Sequence, residues 1–147
     1  MALSLKSLLG AGLEEPLASV GLLTLRLGCG ISLLTAHAIP KLSSIPEFAD
    51  FIALRLTTIA PVELAWLSTL IELVAAPLII VGAATRLAAL PLILNMLVAT
   101  CIVHLDSPWS VRESAALYLI AFSALLGTGP GRFSLDHWQA RRRRVAD

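Results

Sequence analysis

Charge is what this chain has least of. Asp, Glu, Lys and Arg make up 14% of its 147 residues, against about 25% in an average soluble domain. A soluble sphere would lack the polar side chains to cover its core, so the 57% of apolar residues must face something other than water. Cysteine is nearly absent. Cys29 and Cys101 stand alone, with no C-x-x-C pair, which argues against thiol–disulfide chemistry and leaves them as small packing residues. There is no glycine-rich phosphate loop, no zinc-spaced cluster and no nucleophile motif, so catalytic residues are unknown and no metal is expected. The net charge is only +1, and the single basic run, Arg141 to Arg144, lies at the C-terminal end. Nothing therefore suggests nucleic acid. Internal repeats and low-complexity linkers are missing too.

What the chain does have is long apolar runs, the signature of membrane helices. Four spans can be drawn: Leu17 to Ile39, Val62 to Gly82, Ala88 to Leu105, and Val111 to Gly127, the last recruiting residues from Pro108 onward. Each approaches the roughly 20 residues needed to cross the hydrocarbon layer. Pro40 follows the first span and Pro61 opens the second, where proline suits a first helical turn. The few residues from Gly82 to Arg86 make spans two and three an antiparallel hairpin. Ser110 and Glu113 have capping-box spacing, and Gly127 to Gly131 ends the fourth helix. The fold expected is an all-α membrane protein, an antiparallel four-transmembrane-helix bundle. Its parts are an N-terminal segment (1–16), the helical domain (17–131) and a basic tail (132–147).

A cleaved signal peptide is the competing reading of the first span, because Ala36-His37-Ala38 fits a cleavage pattern. The run is too long for one, and Arg26 interrupts it. Between spans one and two, Phe48, Phe51, Ile52 and Leu56 share a face opposite Glu47, Asp50 and Arg55. That spacing predicts a short interfacial helix on the outer bilayer surface, with an ordered loop as the alternative. Lys6, Arg86, Arg132 and Arg141 to Arg144 fall on one side, and Lys41, Arg55 and Arg112 on the other. The excess predicts that both termini are cytoplasmic.

Arg26 and Glu72 interrupt the oily runs. At about 1.5 Å per residue, both lie roughly 15 Å from the cytoplasmic ends of their helices. An unpaired charge at that depth costs about 2.5–3.5 kcal/mol. Equal depth on neighbouring helices predicts one buried ion pair, which either anchors a site or merely sets helix register. Gly28 and Gly30, with Ser68, Ala75 and Ala76, would let these helices approach closely. Higher up, His37 and Lys41 continue the Arg26 stripe, and His104 and Glu113 end on the same side. These four form the candidate pocket. Asn95 lies about 180° from His104 and is expected to bond a neighbouring helix instead; Tyr118 lies off the Glu113 face. Haem between His37 and His104 is disfavoured by a height difference of roughly 6 Å.

The order LTLRLGCGISLLTAHAIPKL, then APVELAWLSTLIELVAAPLIIVGAATRLAAL, then ESAALYLIAFSALLGTGPGRFSLD resembles the DoxX family of small bacterial four-helix membrane proteins. The resemblance covers roughly residues 20–136. The family pattern carries onto Arg26, His37, Lys41, Glu72, Arg86, Glu113 and residues 129–136. Ala38-Ile39-Pro40 and Ala75-Ala76 depart from it, standing where glycines are usual. The resemblance implies a bacterial inner-membrane protein in a quinone-linked redox setting, because the family takes its name from that association.

Two classes of function follow. One is a redox-associated component that binds quinone or quinol near the outer leaflet. It would need a redox partner subunit, since no haem, flavin or iron–sulfur motif is evident. The other is a non-catalytic subunit or scaffold, its basic tail engaging anionic lipid or a soluble partner. A small-solute carrier is a third reading; four short helices would need a homo-oligomer for that.

Overall fold

The computed structural model describes residues 15–55 and 60–146. Among them every regular element is helical. The first span combines α1 (Glu15–Leu33), a widened π-type turn (Leu34–Ala38) and α2 (Ile39–Ser43). Then come α3 (Ile45–Ala53), α4 (Pro61–Val81), α5 (Thr85–Val98) with its own wide turn (Ala99–Val103), α6 (Trp109–Thr128) and α7 (Leu135–Ala146). Among the described residues four helices are long and apolar enough to cross a membrane: Pro16–Ser43, Pro61–Val81, Thr85–Val103 and Trp109–Thr128. The chain is thus a helical membrane bundle, as its composition requires. The expected N-terminal segment, including Lys6, lies largely outside the described residues, as does Leu56.

The bundle has two unlike ends. At the hairpin end, α4 closes on Gly82 in the left-handed conformation (φ 71°). Gly82 and Ala83 return their amides to Ile79 and Leu78, at 3.2 and 2.9 Å, a Schellman closure. Residue 84 also has positive φ (45°), unusual for alanine. Asp136 holds it there from far along the chain: one carboxylate oxygen accepts from the Ala84 amide at 2.7 Å and the other from Thr85 at 2.9 Å. The segment after α6 therefore folds back to cap the start of α5, and the Asp136 amide donates to Gly82 O at 2.9 Å. The basic tail expected from residue 132 onward begins as part of the bundle, and only its helical end projects from it.

At the opposite, pocket end, the first span runs past Pro40 rather than stopping before it. The wide turn absorbs the irregularity, with the Ile39 amide reaching back to Leu34 O. The short helix after the first span is present as α3, and its apolar face covers protein: Ile45, Ala49 and Ile52 are buried against Ala65 of α4. The capping box does not form. Pro108 starts α6 at Trp109, with no side-chain cap, so Ser110 and Glu113 already lie inside the first turns and are exposed.

The core between the ends is built from Leu33, Ala76, Ile79, Ala89, Leu92, Phe122 and Leu125, all essentially inaccessible. Small residues set the helix spacing. A Cβ on Gly30 would sit 2.6 Å from Ile80 and 3.3 Å from Ala76 O, so glycine allows α1 and α4 to touch. Gly28 has open space around its Cα and plays no such part.

Candidate functional site

The buried charges do not pair as their depths suggest. Glu72, 1% exposed, accepts two hydrogen bonds from Lys41 Nζ, at 2.7 and 2.8 Å, and one from Asn95 Nδ2 at 3.0 Å. Arg26, 0% exposed, donates from Nη2 to the backbone carbonyl of Phe133. The expected Arg26–Glu72 pair is therefore corrected to Lys41–Glu72, with Arg26 tied to the closing segment.

The reason lies in side-chain direction. Helical side chains lean toward the N-terminus of their own helix. α1 and α4 run antiparallel, so Arg26 leans toward the hairpin end and Glu72 toward the pocket end. Equal Cα height becomes a divergence of two long side chains. Lys41 sits near the pocket end of the first span, leans down into the bundle and meets the rising carboxylate. Gly82 completes the Arg26 site, because a Cβ there would overlap the guanidinium and lie 2.6 Å from Ser134 Cβ.

Above the Lys41–Glu72–Asn95 cluster lies a cavity of about 230 Å³. His37, Lys41, Glu72, Asn95, His104 and Tyr118 supply its polar edge, and Phe48, Ile52, Leu67 and Leu94 are among its apolar walls. Lys41 is also held over the Phe48 ring, 4.8 Å from its centre. His37 meets the Tyr118 ring edge-on at 5.5 Å, while the Tyr118 hydroxyl lies 2.7 Å from Ser32 Oγ. His104 packs at 5.3 Å against Phe51 of α3. Its Nδ1 is buried and has no hydrogen-bond partner among the described residues. Most buried polar atoms are satisfied, so a bare ring nitrogen in a cavity wall is suited to a ligand.

Three of the four expected pocket residues, His37, Lys41 and His104, line this cavity. Glu113 does not: it is exposed, and the adjacent Ser114 and Ala115 face the cavity instead. Asn95 does bond a neighbouring helix, yet it shares the cavity with His104. The wide turn at Ala99–Val103 between them inserts about one residue of phase, roughly 100°, which regular helical counting cannot see. Tyr118 and Asn95 are the chain's single tyrosine and asparagine. A lone hydrogen-bonding group in an apolar helix needs a partner, and that was the available signal for both. Cys29 and Cys101 are free thiols, and no group of metal-binding side chains occurs among the described residues.

Comparison with protein families matches residues 21–105 to DoxX, more than half of the 147 residues. The chain belongs to the DoxX family. The match takes in Arg26, the Lys41–Glu72–Asn95 cluster and both cavity histidines, and it ends before α6 and the closing segment. No curated protein and no solved structure matches the chain.

Proposed function

We propose that this DoxX-family membrane protein binds the headgroup of a quinone or quinol, or a similar one-ring molecule bearing oxygen, in the pocket-end cavity. The observation that carries this reading is the bare, buried His104 Nδ1 in the wall of an otherwise largely apolar chamber. The size is suitable: an apolar cavity of about 150 Å³ holds benzene, so about 230 Å³ admits one substituted ring. His104 would bond one headgroup oxygen, because imidazole can donate or accept. The neutralised Lys41–Glu72 pair, steadied by Asn95, would form a polar floor without presenting a net charge. His37 and Tyr118 would bound the ring's edge.

In this reading the chain's residues bind and orient the headgroup, while a redox partner subunit exchanges the electrons. The excess of Lys and Arg at the hairpin end supports an orientation with both termini inside, and family membership supports a bacterial cytoplasmic membrane; the cavity would then lie in the outer leaflet. The test is binding of dimethoxy-methyl-benzoquinone to the purified protein in lipid nanodiscs, followed by calorimetry. Saturable binding that is lost in His104→Ala and kept in Glu113→Gln is expected. Equal binding by wild type and His104→Ala would remove the assignment.

A scaffold role is the second reading, favoured by α7. Arg141, Arg142 and Arg143 are exposed there, with Arg142 stacked 3.8 Å over Trp138. Co-purification of a soluble enzyme that depends on these arginines, from a protein that binds no quinone, would establish that role instead.

A further inference from the structure

The cavity is not closed on all sides. Two of its wall residues, Leu67 of α4 and Leu94 of α5, are 55% and 61% exposed, on surfaces that face acyl chains in a membrane. The chamber therefore opens sideways, between spans two and three. From that opening an apolar trough of about 410 Å³ continues along the same helix pair and shares Ile71 with the cavity. Val74 and Leu78 on α4, and Leu87 and Pro91 on α5, form its sides, and Ala75 and Ala88 keep its floor low. From Ile71 to Leu78 it runs roughly 10 Å toward the hairpin end. Every side chain lining it is apolar, whereas the cavity ends in a polar cluster. One continuous site thus has a polar head and an oily extension open to the bilayer.

We infer that the ligand is a membrane amphiphile. Its ring headgroup occupies the cavity, and its hydrocarbon tail leaves between Leu67 and Leu94 to lie in the α4–α5 trough. The inference rests on the headgroup reading above and adds the tail, its path and lateral access from the bilayer. α3 reinforces that route. Its buried face is packed on the bundle and Phe51 lies against His104, which roofs the chamber on the aqueous side.

The test uses nanodiscs and a decyl derivative of dimethoxy-methyl-benzoquinone carrying a diazirine near the end of its tail. Photolabelled residues are mapped by mass spectrometry, with and without excess unlabelled decyl compound. Labelling concentrated on Val74, Leu78, Leu87 and Pro91, and competed away by the unlabelled compound, is the expected result. Labelling spread evenly over lipid-facing residues such as Ile31, Leu117 and Ile120, while the tail-less benzoquinone still binds, overturns the tail path but leaves the headgroup site standing. Trough labelling that the unlabelled compound does not compete marks an ordinary lipid contact and also overturns it. Failure of the tail-less compound to bind removes the headgroup reading and this inference together. A rim variant, Val74→Trp with Leu87→Trp, changes only exposed positions (62% and 70%). It should weaken the decyl compound several-fold and leave the tail-less one unchanged; equal effects on both would count against the trough.

Discussion

Two cations enter this bundle from the same stripe of the first span, and the two ends of the molecule treat them differently. Arg26 ends at a backbone carbonyl, enclosed by Gly82, Ser134 and the returning C-terminal segment. Lys41 ends at a carboxylate that is shared with an asparagine and exposed to a cavity. The first arrangement is a latch, in which one guanidinium donor fastens a loop to a helix hairpin. The second is a floor, in which charge is neutralised by side chains and the space above it stays open. Lysine suits the second because a compact ammonium can swing onto both oxygens of one carboxylate. A charge in an oily helix can therefore serve closure at one end and form the floor of a cavity at the other.

Double-mutant cycles give the largest expected effects and go straight to that contrast. Glu72→Leu alone leaves Lys41 without a counter-charge and should cost about 3–5 kcal/mol of unfolding free energy in mild detergent. Adding Lys41→Leu should recover a large part of it. Arg26→Leu with Glu72→Leu should instead be additive within about 0.5 kcal/mol, as for uncoupled sites. Strong coupling in the second cycle would mean that the two charges do meet and that the ends are not separate.

Gly82→Ala should follow in size. A Cβ there invades the guanidinium site, and the left-handed backbone alone costs about 1–2 kcal/mol for a non-glycine residue. Thermal unfolding should show the loss. If the latch is the cause, it should shrink when Arg26→Leu has already vacated the space. Asp136→Ala should cost about 0.5–2 kcal/mol, as the loss of a helix cap. It should also raise proteolysis within residues 129–136 while headgroup binding at the far end persists. The smallest effect belongs to Arg55→Ala. Its 3.7 Å pairing with Asp106, itself 77% exposed, should contribute less than about 1 kcal/mol, readable as a small change in melting temperature. A larger loss would show that the fastening of α3 at the pocket end matters more than the comparison allows.

Much of the candidate cavity's lining is legible in the sequence, and the departures have separate physical causes. His37, Lys41 and His104 line the cavity, and a period of 3.6 residues with a count of depth places them on one side at one end. Glu113 lies at the expected end but on an exposed face of α6, because depth alone does not fix which way a residue faces. Asn95 and His104 share the cavity because the wide turn at Ala99–Val103 changes phase without any sequence mark that periodicity detects. The Arg26–Glu72 pair failed for a different reason. Equal depth along the backbone brings Cα atoms level, whereas the charges sit at the ends of long side chains that lean opposite ways on antiparallel helices.

Composition and hydrophobic run length determined that this chain is a helical membrane protein, with four helices among the described residues long and apolar enough to span, because apolar surface on that scale has no other stable neighbour. The resemblance carried by its motifs placed it in the right family. Which charge meets which was decided only in three dimensions. Pairing energy depends on distances of a few ångströms between side-chain tips, and those distances are set by helix direction, turn phase and the return of a distant segment. The sequence does not state any of the three in the residues concerned.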